Sequence, residues 1–193
     1  MLALLLGLAS ACLELDVAPP EALEPPAEAP PQSAPALRVE FTGEQAHRPD
    51  FATAQTMYRI FYSRMNNQSG SLAELLRPAI ESVVRRKGYR IGSGGRVLRI
   101  DLERAILLWR PPREFIQTPQ ARSRGVVLLD IAAGSRLYAR DPASGWPYWG
   151  RTLEDRRELP AFPGDESQAM ELAMYQSLTA LVRQLEGLLP PAR

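Results

Sequence analysis

Apolar and polar residues alternate over Leu37-Arg38-Val39-Glu40-Phe41-Thr42, the period of a strand with one buried face. Gln55 to Tyr62 reads as a second strand, rich in aromatics, and Met65 to Gly70 as a turn. At Leu72 the period changes. Leu72, Leu75, Leu76, Ala79, Ile80, Val83 and Val84 recur at helical spacing and make one apolar stripe. Ser71 and Glu74 stand at the separation of a capping box, and Pro78 predicts a kink near Glu74. Arg85-Arg86-Lys87-Gly88 supplies the cations and the glycine that close a helix.

Extended chain resumes at Tyr89-Arg90-Ile91 and turns through Gly92-Ser93-Gly94-Gly95. The longest alternation runs from Val97 to Trp109, where Leu98, Ile100, Leu102, Ile106 and Leu108 intersperse with Arg99, Asp101 and Glu103. Residues 110–124 form a polar loop, and Gly125 to Ala132 is apolar enough to be a central strand. A short strand over Arg136–Arg140, a turn at Asp141–Gly145 and a polar edge strand from Tyr148 to Leu159 follow. Asp165 and Gln168 stand where they would cap a last helix, in which Met174, Leu178, Leu181, Leu185 and Leu188 step by four and three. That seam covers barely two heptads, so packing on the sheet is favoured over a coiled coil.

This order predicts an α+β fold: a two-layer sandwich with a mostly antiparallel sheet and two helices on one face. The core should draw on Leu75, Leu76, Ile80, Val83, Ile100, Leu102, Leu128, Leu129, Leu181 and Leu185. Two such layers at normal packing density leave little room for a ligand cavity.

The N-terminus follows different rules. Residues 1–11, MLALLLGLASA, carry no charge and are too short for a hydrocarbon core that needs about 20 apolar residues. They have the length of an export signal's apolar region. Ala9, Ser10 and Ala11 are small enough for a signal peptidase, and Cys12 follows at once. This resembles the lipobox of bacterial lipoproteins, in which the cysteine is acylated and becomes the first residue. Two features depart from that pattern: Leu8 lies four residues before the cysteine rather than three, and no basic residue precedes the apolar run. Simple secretion and a buried helix are the competing readings. Leu13 occupies the place where an Asp would retain such a protein at the inner membrane, which points to the outer membrane.

Residues 13–36 hold seven prolines, no aromatic residue, five carboxylates and no cation. Such a segment has little to bury and reads as a semi-extended tether. The expected division is a signal peptide over 1–11, a lipidated cysteine and linker over 12–36, and one domain over 37–193. Removing the five linker carboxylates leaves 23 basic and 17 acidic residues in that domain, a net of +6. A charge that small, spread over a whole domain, does not announce nucleic acid as a partner.

The chain holds one Cys and one His among 193 residues, so neither an internal disulfide nor a His-based triad or zinc site is expected. His47 falls in a polar loop. Arg85-Arg86-Lys87 reads as helix termination, with an anionic contact as the minority reading. The 92–95 glycines lack the Lys-Ser/Thr ending of a phosphate loop. Asp101 and Glu103 lie two apart on one strand, the placement of an acid–base pair or of a solvated face. Trp146, Tyr148 and Trp149 form the densest aromatic patch and are the candidate partner contact, with residues 110–124 as the other exposed candidate.

The lipobox-like cysteine, the Pro-rich spacer, the helix ending in Arg-Arg-Lys-Gly-Tyr, the long alternating strand, a hairpin and a C-terminal helix together resemble the YajG-type bacterial lipoproteins. The similarity runs over about residues 70–188 and is most specific from Leu75 to Leu102. A similar order occurs in auxiliary lipoproteins of ABC-type lipid transporters and in small outer-membrane lipoproteins that activate cell-wall synthases. The resemblance implies a periplasm-facing lipoprotein and no enzyme chemistry. The expectation is therefore a non-enzymatic envelope adaptor with no cofactor and no metal, held to the membrane by Cys12 and partnered by an envelope protein. The alternative is an auxiliary lipid-binding component of an ABC-type envelope transporter.

Overall fold

A computed structural model describes residues 11–21, 28–43, 45–48, 50–53, 62–93, 96–110, 125–138, 149–161 and 166–192. The strands are β1 (Ala11–Leu15), β2 (Ala36–Thr42), β3 (Asp50–Thr53), β4 (Tyr62–Asn67), β5 (Arg90–Ile91), β6 (Arg96–Arg110), β7 (Gly125–Tyr138) and β8 (Trp149–Ala161). The helices are α1 (Leu72–Arg86) and α2 (Glu166–Leu188).

The expectation of a mostly antiparallel sheet is incorrect. β5, β2 and β6 form an all-parallel three-stranded run. β3 also joins β6 in parallel, and β1 joins β4 in parallel. Only β3–β4, β6–β7 and β7–β8 are antiparallel among the described pairings. The cause lies in the connections. β2 returns to β6 through α1, and a crossover through a helix brings a strand back in parallel. Along one edge of β6, β2 pairs with residues 96–101 and β3 with 106–107, while β7 lines the other edge to Arg110.

α1 forms where its signals stand. The Ser71 hydroxyl accepts from the Glu74 N–H at 3.3 Å, and the Ser71 N–H donates to Glu74 Oε2 at 2.7 Å, so both halves of the capping box are made. Pro78 lies inside the helix. At the other end Gly88 takes φ +86° and its N–H donates to the Arg85 carbonyl at 2.9 Å. Two of the three cations there are paired: Arg85 with Glu81 at 3.3 Å, and Arg86 with Glu186 of α2 at 3.2 Å. The Arg77 guanidinium of α1 lies 5.1 Å from the centre of the Phe41 ring on β2.

One core joins both helices to the sheet. Leu75, Leu76, Ile80 and Val83 of α1 meet Met174, Leu178, Leu181 and Leu185 of α2 and Leu98, Ile100 and Leu102 of β6. These α2 residues are the predicted seam, now packed on the sheet; Leu188, its last step, is exposed and Leu189 is buried in its place.

The alternation along β6 does not continue on one face. The register slips between Leu102 and Arg104, so Leu102 pairs with Ala133 and Arg104 with Ala132. A bulge of one residue exchanges the faces of everything beyond it. Ala105 is accordingly buried in the core with Leu102. Ile106 and Leu108 then fall on the face opposite to Ile100 and Leu102. Leu128 pairs with Leu108 and Leu129 with Leu107, so Leu128 and Leu129 occupy opposite faces and are not jointly core positions.

Candidate functional site

Cys12 is the second residue of β1 and pairs with Arg64 of β4. That strand is fastened into the domain. Leu15 and Val17 are fully buried and belong to the core. The Leu15 carbonyl accepts from the Gln68 N–H at 2.8 Å, and the Val17 N–H donates to Oδ1 of the buried Asn67 at 3.0 Å. Asn67 in turn donates through Nδ2 to the Gly70 carbonyl at 2.8 Å. On the exposed side, Gln68 donates to Glu14 at 2.6 Å and Ser69 to Asp16 at 2.5 Å. The Asp16 N–H donates to Glu171 of α2 at 2.9 Å.

The first five residues of the expected tether are therefore part of the domain. Sequence reasoning missed this because a proline-rich composition and an acidic charge dominate the segment as a whole. Leu13, Leu15 and Val17, alternating with Glu14 and Asp16, carried the period-two signal that would have found it. From Cys12 to the buried Leu15 the chain rises three residues, about 10 Å. Whatever is attached at Cys12 is held that close to the folded core.

The aromatic candidate is not assembled by the described residues. Trp149 opens β8 opposite Leu137 of β7, while Trp146 and Tyr148 lie outside the described residues. So does the 111–124 stretch of the candidate loop, whose first residue, Arg110, ends β6. Asp165, the expected cap of the last helix, lies outside them too.

Asp101 pairs with Gly134, and Glu103 sits at the bulge. Gly43 passes close to this point with φ +97°; a Cβ there would come 2.5 Å from the Leu102 carbonyl oxygen and 2.9 Å from Asp101 Oδ1. His47 Nε2 lies 3.1 Å from the Phe41 carbonyl, which accepts when that nitrogen carries the proton. Arg96, at the start of β6, is buried, and burial pushes its guanidinium below the usual arginine value against a smaller opposing effect of Tyr89. Among the described residues no three His, Cys, Asp or Glu side chains come together as metal ligands would. No described helix is long and apolar enough to cross a membrane.

A polar cluster that the sequence did not single out joins β8 to α2. Ser177 is fully buried and its hydroxyl donates to Oδ2 of Asp155. Arg157 donates to the same carboxylate through Nε at 2.7 Å and Nη2 at 3.0 Å. The Glu154 carbonyl accepts from Gln184 Nε2 at 2.9 Å. A serine in the apolar seam, three residues after Met174 and next to Leu178, was the available signal, because a buried hydroxyl needs a partner. The cluster holds the helix in register on the strand.

No family model matches the chain, and no curated protein does. Solved structures do. A DUF330 protein from Xanthomonas campestris is similar with a TM-score of 0.50 at 16% identity, over 91% of this chain and 95% of its own. A minor lipoprotein from Acinetobacter baumannii has a TM-score of 0.41 at 10% identity, over 83% and 98% of the two chains. Rare lipoprotein B from Shewanella oneidensis has a TM-score of 0.40 at 12% identity, over 77% and 89%. At these identities the likeness is one of fold. It shows neither a family nor the YajG type.

Proposed function

We propose that the protein is a cell-envelope lipoprotein, acylated at Cys12, that serves as a non-enzymatic accessory on the periplasmic face of the outer membrane. The observation that carries this reading is the position of the sole cysteine. Cys12 follows an uncharged leader and three small residues, and it is the second residue of the first strand. A cleavage before Cys12 would leave β1 whole but for Ala11. Leu13 in place of an Asp supports the outer membrane. A single acyl chain binds a membrane only marginally, so the reading requires the multiple chains that lipoprotein processing adds.

A second reading, the auxiliary lipid-binding component of an ABC-type envelope transporter, needs an apolar surface for acyl chains. Phospholipid co-purifying with detergent-free protein would separate it from the first.

The test of the first reading is fractionation of cells carrying the full chain. The wild type is expected in the outer-membrane fraction, and Cys12→Ser in the soluble periplasm. A Cys12→Ser protein that still sediments with the outer membrane would contradict it.

A further inference from the structure

We propose that the outer edge of β8 is a pairing site for β8 of a second copy of this chain, and that Gln184 of α2 is the latch that holds the site closed. The pairing does not depend on an acyl group at Cys12.

β8 has β7 along one edge and, among the described residues, no strand along the other. In an antiparallel ladder the backbone groups of alternate residues point toward the neighbouring strand and away from it. Glu154 shows which residues of β8 point away. Its N–H donates to Gln184 Oε1 at 3.3 Å, and its carbonyl accepts from Gln184 Nε2 at 2.9 Å. Both groups therefore face the helix side chain and not Ala132, the residue of β7 level with Glu154. Pro160 lies six residues further along the same strand, at the same parity. Proline is tolerated in a strand where its nitrogen faces an open edge, so its position agrees with that of Glu154.

An edge of thirteen residues offers a long row of backbone groups to another chain, and proteins guard such edges. Here one side chain does so. The amide of Gln184 makes with Glu154 the two bonds that a residue of an added strand would make. Ala173, Ser177, Ala180, Gln184 and Gly187 step by four, three, four and three, which puts them on one line along α2. Ser177 bonded to Asp155 and Gln184 bonded to Glu154 lay that line along β8. Gln184 is its only long side chain. The edge is thus closed by a rotatable amide and not by packed bulk.

The occupant follows from charge. Opposite charges directly across two strands favour a pairing, and like charges oppose it. Asp155 bonds Ser177 of α2, so the side chains of Glu154 and Arg156, one residue to either side, stand on the face away from the helix; both are exposed. Two copies of β8 paired antiparallel about Asp155 set Glu154 of each level with Arg156 of the other, and Thr152 level with Glu158. Sliding the register by one such pair sets Glu154 against Glu154 one way, and Arg156 against Arg156 the other. The two Asp155 residues meet at the centre of the favoured register, on the helix face. Each carboxylate already accepts from Nε and Nη2 of its own Arg157, at 2.7 and 3.0 Å, and from Ser177. This contact is self-complementary about a two-fold axis and closes on two copies.

Opening the edge exchanges the bonds of Glu154 to Gln184 for bonds to the backbone of the second copy's Arg156. Gln184 belongs to the same chain and competes at a high effective concentration, so the wild type stays closed.

The test is the protein mass of the full chain in detergent micelles, measured by light scattering. The wild type is expected at the mass of one chain and Gln184→Ala at twice that mass. Gln184→Glu, whose carboxylate cannot donate to the Glu154 carbonyl, replaces Gln184→Ala if circular dichroism shows that the latter does not fold. In the opened variant, Glu154→Arg is expected to return the mass to one chain, because arginine then faces Arg156 at both pairs. Adding Arg156→Glu is expected to restore the doubled mass. An opened variant that folds and stays at the mass of one chain overturns the proposal. So does a wild type that is already doubled, a doubled mass indifferent to Glu154→Arg, or a mass raised by a chain other than this one.

Discussion

Ser177 of α2 donates its hydroxyl to Oδ2 of Asp155 on β8, twenty-two residues away in the chain, with no exposure of its own. The bond ties the last helix to the last strand beside the buried Leu178 and Leu153. Asp155→Ala would leave the buried hydroxyl and the Arg157 guanidinium without their acceptor. Leaving a buried polar group unsatisfied costs about 1–3 kcal/mol. Urea denaturation should show a loss in that range, with Ser177→Ala costing less. The double variant should lose less than the sum of the two, because both remove the same bond. Additive losses would show that the bond contributes nothing.

Leu15→Ala tests whether the segment after Cys12 belongs to the domain. Leu15 is fully buried among core residues. Truncating a buried leucine to alanine costs about 2–5 kcal/mol. A flexible tether would tolerate the change without loss. Thermal and urea unfolding of the variant decide between the two. Glu21→Ala, at an exposed position in the proline-rich stretch, is the control and should leave stability unchanged.

Gly43→Ala should be far more costly than a surface glycine substitution. Gly43 has φ +97°, and an added Cβ would meet the Leu102 carbonyl oxygen at 2.5 Å, which is backbone and cannot rotate away. Both the left-handed conformation and the contact oppose the methyl group. The expected loss in urea denaturation exceeds about 1 kcal/mol. Gly187, with open space around its Cβ position, is the matched control.

Glu74 titrates below the ordinary glutamate range. The backbone N–H of Ser71 is the largest cause, followed by the Ser71 hydroxyl, with a smaller contribution from His47 and a partial opposing effect of desolvation. A carboxylate whose folded pKa is depressed contributes stability above its unfolded value, about 4.3 for glutamate, and loses it as pH falls through the lower folded value. Glu74→Gln should flatten this acid limb of the stability profile while leaving its shape near neutral pH unchanged. An unaltered acid limb would show that the capping box does not titrate with folding.

The helices and the strands β2, β6, β7 and β8 were legible in the sequence, and their partners were not; β1, β3 and most of β4 were missed, and the expected strand from Gln55 to Tyr62 lies, but for Tyr62, outside the described residues. The Ser71–Glu74 box, the α1 stripe and the seam from Met174 to Leu185 are local signals, and each appears in the structure. Parallel pairing of β2 with β6 is not local. An alternating pattern says that a face is buried and is silent on which strand lies beside it. The bulge between Leu102 and Arg104 was equally hidden, because Ile106 and Leu108 keep the alternation's appearance while changing faces. Met65 to Gly70 reads as a turn because it is built of polar, turn-favouring residues; Asn67 nevertheless ends a strand, and its side chain accepts from the buried Val17 N–H. Of the candidate site, Cys12 was legible through the small residues before it. Its close attachment to the core depended on Leu15 and Val17, which the surrounding prolines masked.

The most direct test of the central claim is the intact mass of the N-terminal peptide of the protein isolated from its native membrane. The expected peptide begins at Cys12 and carries a diacylglyceryl thioether, with a further acyl group on the new amine. A peptide that begins before Cys12, or one that begins at Cys12 with a free thiol, would contradict it.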